Sequence, residues 1–102
     1  MKYNNPYTKK VTVADPAVAL DFDDIGFTPS YVKVMNVNNG AILEHVSGMA
    51  DASALLLKKG SSDTYAPALV TENAITLTDR GFTLGVETSV NIATHVLYVI
   101  AI

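Results

Sequence analysis

The sequence predicts an all-β fold, specifically a small antiparallel β-sandwich or a jelly-roll or barrel-like domain with at most one short helix. Short runs rich in Val, Ile, Thr and Tyr alternate along the chain with turns that contain Gly, Pro, Asn and Asp. Some of these runs alternate apolar and polar residues, as half-buried strands do. The chain has 102 residues, which is enough for one hydrophobic core but not for two.

The composition is apolar for a small domain. Hydrophobic residues make up 49% of the chain and charged residues 17%, whereas an ordinary domain carries about 25% charged residues. A mainly disordered chain is excluded, because disorder requires low hydrophobicity and high net charge. A small domain with few charges also has little to keep its copies apart. We therefore expect a homo-oligomer.

Charge and residue types exclude several classes of protein. The formal net charge is −3 and the basic residues are scattered, so we expect no nucleic-acid partner. The chain contains no Cys, which excludes a disulfide scaffold and a thiolate zinc site. The longest apolar run, Val96–Ile102, is far shorter than the roughly 18 residues of a membrane helix. Since the N-terminus also lacks an apolar signal segment, we expect no membrane partner and synthesis in the cytoplasm.

The N-terminus is polar and contains an Asn-Asn-Pro sequence. This pattern predicts an extended arm over residues 1–10, followed by a single β domain over residues 11–102. One interpretation of the arm is a frayed terminus. The other is a segment that docks on a neighbouring molecule. The candidate contact residues of a docking arm are Tyr3, Tyr7, Lys9 and Lys10.

Three strands are predicted in the first part of the domain. Residues 10–14 form a β-rich run that an Asp-Pro pair ends. Residues 17–22 form a second short strand, which two further Asp residues close. After a turn-rich link, residues 31–37 are dense in Val and Tyr and predict a third strand.

A fourth strand, residues 41–46, follows an Asn-Asn-Gly turn. The residue types on the two strands indicate the register across this turn. A two-residue Asn-Gly loop would place Met35 opposite Glu44. A loop of the two Asn residues, or a four-residue loop over 37–40, pairs opposite charges and pairs apolar residues, so we prefer it. The pairs that it predicts are Lys33–Glu44, Val34–Leu43 and Met35–Ile42.

Residues 48–60 are ambiguous. Their Ala and Leu content, with a closing Lys-Lys-Gly, suits a short helix. The alternative is a loop followed by a buried strand over residues 54–57, and a segment this short does not separate the two. Residues 66–71 predict a further strand, placed at an edge or a strand start because Pro67 cannot donate a ladder hydrogen bond.

Residues 75–86 predict a β-hairpin around a two-residue Arg80-Gly81 loop. Gly81 would supply the positive φ that a tight turn requires. One face of the hairpin is apolar and the other is rich in Thr. The predicted pairs are Asp79–Phe82, Thr78–Thr83, Leu77–Leu84 and Ile75–Val86.

The last predicted strand, residues 94–102, is apolar on both faces. An antiparallel sheet usually exposes one face to water, so such a strand must be central, sandwiched or covered by another chain. We expect its alternate side chains to contact a neighbouring subunit. The candidates are Val96, Tyr98 and Ile100.

No catalytic, cofactor or metal site is predicted. The acidic stretch at residues 21–26 matches an EF-hand loop only in part, because Ile25 and Val32 stand where that loop requires ligands. His45 and His95 have no second His at metal-ligand spacing. The chain has neither a Gly-x-Ser-x-Gly turn nor a Gly-rich phosphate loop. We therefore expect a protein that is not an enzyme.

Three segments carry a family resemblance. Gly26–Val34 (GFTPSYVKV), Leu77–Gly85 (LTDRGFTLG) and Val96–Ala101 (VLYVIA) resemble small virion proteins encoded near the structural genes of tailed bacteriophages and prophages. The third segment departs from that pattern at Val99, where an aromatic residue is expected. The resemblance covers about residues 26–102. It implies a structural role, such as capsid decoration, head fibre or tail accessory, and carries over no site residues.

The leading hypothesis is a capsid decoration, or cement, protein on the surface of the phage head. Its expected partners are its own copies, arranged as a trimer, and the major capsid protein. The apolar strand faces would bury against sister subunits, and the arm would reach the shell. The alternative is a tail or fibre-associated module that binds a host glycan. A small enzyme is the third and weakest hypothesis.

Overall fold

A computed structural model describes residues 6–15, 18–60 and 64–102 of the chain. Within these ranges the protein forms eight strands and no helix, which confirms the all-β prediction. The described residues accordingly include no helix that could cross a membrane. The strands are β1 (Tyr7–Thr12), β2 (Leu20–Phe22), β3 (Tyr31–Asn36), β4 (Ile42–Val46), β5 (Ser53–Lys59), β6 (Tyr65–Thr78), β7 (Gly81–Leu84) and β8 (Val96–Ala101).

The eight strands form one antiparallel sheet in the order β1-β8-β3-β4-β5-β6-β7-β2. Strands β3 to β7 pair with their neighbours along the chain, whereas β8 returns to lie between β1 and β3. The sheet curls into a half-barrel. Of the architectures predicted, the barrel-like one is therefore the nearest.

The core lies on the concave side of the curled sheet. Alternate residues of each strand point to this side, so Val32 and Val34 of β3 are fully buried while Lys33 between them is only half-buried. The rings of Phe22 and Phe82 stack with their centroids 4.6 Å apart. The largest buried apolar side chains are Phe82, Leu43, Ile75, Leu84, Leu97, Val13, Val32, Val34, Val90 and Val99.

The register predicted for β3 and β4 is confirmed, with Lys33 opposite Glu44 and Met35 opposite Ile42. The connection is the four-residue loop over 37–40. The side chain of Asn36 stabilises this loop, because its Oδ1 accepts hydrogen bonds from the backbone N–H groups of residues 38 and 39. Gly40 closes the loop with a φ of +79°.

The hairpin of β6 and β7 forms, but its loop lies one residue earlier than predicted, which shifts the pairing by two residues. The loop is Asp79-Arg80, and Thr78 pairs with Gly81. Gly81 does not have a positive φ; it is required because β2 passes close to it. A Cβ at position 81 would lie 1.7 Å from the carbonyl oxygen of Phe22. The two-residue shift leaves both faces of the hairpin as predicted.

Residues 48–60 contain no helix, and the strand alternative is the correct one. Ala54 and Leu56 of β5 are buried, whereas Leu55 between them is 40% exposed, which is the two-residue period of a strand. β5 is paired on both sides, with β4 and with β6. These two ladders override the helical composition of the segment.

β6 is a long strand with a bend. The separate strand predicted over residues 66–71 continues through the bend into the hairpin strand. At the bend, Asn73 has a φ of 64°, and Ala52, whose carbonyl oxygen accepts a hydrogen bond from the N–H of Ala74, has the same value. The register with β5 shifts between Ser53 and Ala54 at this point. The first half of β6 therefore turns away from β7 and pairs with β5 alone.

The predicted boundary between an arm and a domain at residues 10 and 11 does not coincide with a structural boundary. β1 begins at Tyr7 and pairs with β8 along its whole length, because alternate β1 side chains pack on the core. Residues 1–5 lie outside the described residues. β8 is central, as one of the three predicted alternatives stated. Its following residue, Ile102, exchanges backbone hydrogen bonds with Tyr31.

Candidate interaction surface

The convex side of the sheet carries an apolar row that runs across five strands. Each member is the Cα partner of the next one in the ladders. At about 4.8 Å between strands, the row is about 19 Å long. We call it the outer row, and it consists of Tyr98, Met35, Ile42, Leu57 and Pro67.

A second row lies beside it on the same face. Ile100 stands at one end of this row, and Leu55 and Leu69 at the other, with Lys33 and Glu44 between them. Leu69 is 63% exposed. A solvated antiparallel sheet normally presents polar side chains on this side. The two rows together form a mainly apolar surface with one cationic and one anionic residue near its centre.

Glu44 is held in place by a neighbouring side chain. The hydroxyl of Tyr31 donates a hydrogen bond to its Oε2 at 2.5 Å. Partial burial, followed by the hydrogen bond and the negative charge of Glu44, raises the pKa of Tyr31 to about 12. The carboxylate is thus held on the convex face by Tyr31.

The candidate residues of β8 all lie on this convex face. Tyr98 is 41% exposed, and Val96 and Ile100 are half-buried. Lys10 of β1 is the Cα partner of Tyr98, so it extends the same face by one strand. Four of the residues predicted from the sequence therefore share one surface.

The other candidates of the N-terminal segment are placed differently. The Tyr7 hydroxyl donates to Oδ1 of Asp24 at 3.0 Å, and Lys9 Nζ lies 3.7 Å from the other oxygen of that carboxylate. Lys9 Nζ also lies 5.9 Å from the centroid of the Phe22 ring. Partial burial, then the hydrogen bond and charge of Asp24, raises the pKa of Tyr7 to about 12. Tyr3 lies outside the described residues.

These contacts connect the two ends of the strand order. β1 and β2 are the first and last strands of the sheet, and Asp24 follows β2 directly. Tyr7 and Lys9 therefore link opposite edges of the curled sheet within one molecule. This geometry therefore does not support the expectation that Tyr7 and Lys9 contact another subunit.

Sequence reasoning missed most of the outer row. The pair of Met35 and Ile42 was predicted as a cross-strand pair, but not as part of a surface. Leu57 was missed because residues 48–60 were left open between helix and strand, and Pro67 was missed because the strand predicted over residues 66–71 was given no partner. The sequence carried no signal for Leu57, because residues 54–57 are all apolar and show no alternation from which a strand face could be assigned.

A shallow depression of about 410 Å³ lies at the opposite end of the sheet, beside the β6–β7 turn. Asp21, Asp23, Asp79 and Arg80 contribute to its lining, and Asp21 accepts a hydrogen bond from the Thr83 hydroxyl at 2.9 Å. Among the described residues, no group of three or more His, Cys, Asp or Glu side chains is placed to hold a metal ion. The depression can offer hydrogen-bond acceptors and one guanidinium group to a polar ligand.

The two histidines are hydrogen-bonded within the protein. His45 is buried, and its Nδ1 lies 2.7 Å from the carbonyl oxygen of Ser53. A carbonyl oxygen can only accept, so Nδ1 carries the hydrogen. Nδ1 of His95 contacts the side-chain amide of Asn36, with 3.0 Å to its nitrogen.

The two rows of the convex face therefore offer exposed apolar area with one Lys and one Glu, whereas the depression is lined mainly by charged and hydroxyl side chains. The apolar face is suited to burial against another protein surface. Comparison of the chain with protein-family models, with curated proteins and with solved structures finds no match.

Proposed function

We propose that the chain is a non-enzymatic virion structural protein, namely a capsid decoration protein that assembles as an oligomer on the head of a tailed bacteriophage. The observation that carries the proposal is the outer row, an apolar stripe five strands wide on the exposed side of the sheet. The resemblance of residues 26–34 and 77–85 to phage virion proteins supports the same role.

The mechanism is adhesive. Sister subunits cover the convex face, and burial of apolar area contributes about 25 cal/mol for each Å² removed from water. Lys33 and Glu44 set the relative orientation of the subunits, since a misplaced contact would bring like charges together. Closed symmetry is the usual form of such assemblies, and the local three-fold axes of a capsid favour a trimer. The major capsid protein is the second partner.

A charge placed in the outer row tests the contact between subunits. We expect the unchanged chain to exceed its monomer mass of 10.9 kDa in light scattering, and Tyr98→Lys to shift it toward monomer. The matched control is Thr8→Lys, because Thr8 lies on the same face as the partner of Ile100 but outside the outer row. A clean monomer for the unchanged chain would contradict the self-association.

Co-sedimentation with capsids assembled without this protein tests the decoration role. We expect saturable binding by the unchanged chain and at least tenfold weaker binding by Tyr98→Lys, because an oligomer binds through several contacts at once. Removal of residues 2–5 tests the arm separately. That deletion leaves β1 intact, whereas removal of residues 2–10 would also delete four of the six residues of β1. Absence of any capsid binding would contradict the decoration role.

The alternative is a tail or fibre-associated module that binds a host glycan, and the acidic depression favours it. Carboxylates and a guanidinium group are suitable hydrogen-bond partners for sugar hydroxyls. In this case, we expect the chain to bind on a glycan array, and Asp79→Asn to abolish the signal. Ser89→Asn, which lies outside the lining of the depression, is the control. Glycan binding without capsid binding would establish this alternative over decoration.

A further inference from the structure

The first half of β6, residues 65–70, has a strand partner on one side only. β5 pairs with this half, whereas β7 pairs only with residues 75–78. The bend at Asn73 and Ala52 separates the two halves. Among the described strands, the other side of residues 65–70 therefore remains an open edge. Its backbone groups are available to another strand.

This edge differs from the two ends of the sheet. β1 carries Lys9 and Lys10, and β2 is only three residues long with Asp21 at its centre. Charged and short edge strands resist pairing with other chains. The eight residues from Thr64 to Thr71 contain no charge, and residues 64–69 are all exposed. The open edge thus lacks the charges that protect the ends of the sheet.

The position of Pro67 shows which backbone groups face outward. Pro67 is the ladder partner of Leu57, yet proline has no N–H to exchange with it. Leu57 and Pro67 must therefore form a non-hydrogen-bonded pair, and the backbone of residue 67 points to the open edge. By the alternation of the ladder, the backbones of residues 65, 69 and 71 point the same way. Pro67 removes one donor from this edge and leaves the others.

We propose that this edge pairs with the same edge of a second copy, antiparallel, with the two-fold axis at Ala68. In this register, Leu69 donates to the partner's Pro67, while Tyr65 exchanges both hydrogen bonds with the partner's Thr71. With the symmetry-related bonds, the contact has about six hydrogen bonds. A register centred on Pro67 would place the two prolines opposite each other and lose more of them.

Side chains fit the same register. Ala66 meets the partner's Val70, Pro67 meets the partner's Leu69, and the two Ala68 residues meet at the axis, so each pair combines a small or compact residue with an apolar one. No like charges oppose each other. A groove of about 290 Å³ between residues 69–73 of β6 and Val86–Thr88 leaves room for the end of the partner's strand.

The contact joins two sheets into one and makes their outer rows continuous, because Pro67 and Leu69 lie on the convex face. It is separate from burial of the convex face by sister subunits. It also requires no capsid, so it can hold or fail independently of the decoration role. A second copy is the occupant because the edge matches itself in charge, in hydrogen bonds and in side-chain size.

Cysteine cross-linking tests the register, since the chain contains no Cys. In Ala68→Cys, facing residues would have Cα atoms about 4.5 Å apart, within the range of a disulfide. In the control, Ala66→Cys, the two cysteines would lie four residues apart along the strands, at about 13 Å. We expect mild oxidation at micromolar concentration to link Ala68→Cys at least tenfold faster. Equal linking of both variants, or of neither, would overturn the proposal.

Backbone substitutions test the hydrogen bonds in both directions. Pro67→Val restores a donor at the open edge, and Leu69→Pro removes one; each changes two bonds in the pair of molecules while leaving the ladder to β5 intact. We expect the dissociation constant of this contact to change by about tenfold, tighter for Pro67→Val and weaker for Leu69→Pro. Leu69→Ala keeps the N–H and serves as the control for Leu69→Pro. The proposed pairing would be overturned if neither Pro67→Val nor Leu69→Pro changed the dissociation constant.

Discussion

Two rows of apolar side chains cross the same five strands, one on each side of the sheet. The outer row lies on the convex side, and the inner row is displaced from it by one residue in each strand. The inner row consists of Val99, Val34, Leu43, Leu56 and Ala68, which are successive ladder partners. Four of its five members are at most 5% exposed, because the curl of the sheet covers them.

The comparison separates two uses of apolar residues. The inner row is covered by the protein's own chain, so its burial contributes to folding. The outer row has similar composition but remains at the surface, with Tyr98 41% exposed. Folding of one molecule therefore accounts for the inner row alone. The outer row is consistent with a contact between molecules, which is where the proposed function places it.

The largest difference is expected when each row receives a charge. Val34→Asp places a carboxylate in the core without a partner, and we expect a loss of more than about 4 kcal/mol, enough to unfold a small domain. Met35→Asp places the same group on the convex side, where water reaches it, and we expect a loss of about 1 kcal/mol. Urea unfolding followed by circular dichroism measures both. Equal losses would show that the outer row is also buried within the molecule.

Truncation gives a smaller and more graded effect. Leu43→Ala leaves a cavity in the core, and we expect a loss of about 2–5 kcal/mol at any protein concentration. Ile42→Ala, one residue away, is expected to cost at most about 1.5 kcal/mol in dilute solution. If copies cover the outer row, the cost of Ile42→Ala grows with protein concentration, because association adds to stability by mass action. A cost for Ile42→Ala that does not vary with concentration would argue against that cover.

The sequence predicted the β3–β4 register but not the β6–β7 register, and the difference lies in which residues share a face of each hairpin. The β3–β4 alternatives differed by two residues, and only one of them placed Lys33 opposite Glu44. In β6 and β7 one face is wholly apolar and the other is Thr. A shift of two residues there still places like opposite like, with Thr83 facing Thr76 instead of Thr78. Local pair chemistry therefore could not select the correct register.

Long-range contacts decided the remainder of the fold. Gly81 is needed because β2, some sixty residues earlier in the chain, passes against it. The strand state of residues 53–59 depends on ladders to β4 and β6. The outer row is a property of these ladders, since it exists only when five separate segments lie side by side. The alternation within β8 is local, and for that reason it was predicted correctly.

Alkaline pH is expected to lower the stability of the fold through two tyrosines. One links the edges of the sheet, and the other lies over the convex face. Tyr7 and Tyr31 both have a pKa raised to about 12 in the folded chain, above the usual value of 10. Their contribution to stability is complete below pH 10 and is lost as pH rises toward 12. We expect Tyr7→Phe and Tyr31→Phe each to flatten the fall of unfolding free energy over this interval. A double variant as pH-sensitive as the unchanged chain would contradict this assignment.

The smallest effect on folding is expected at Tyr98, at the β8 end of the outer row. Tyr98→Thr keeps a residue that favours strands and removes an exposed ring, so we expect the unfolding free energy of the dilute monomer to change by less than about 0.5 kcal/mol. Association measured by light scattering should weaken at least tenfold, since buried Tyr side chains carry much of the affinity of protein contacts. A residue that matters for association but not for folding is the signature that distinguishes the outer row from the inner row. Loss of folding stability without loss of association would reverse that distinction.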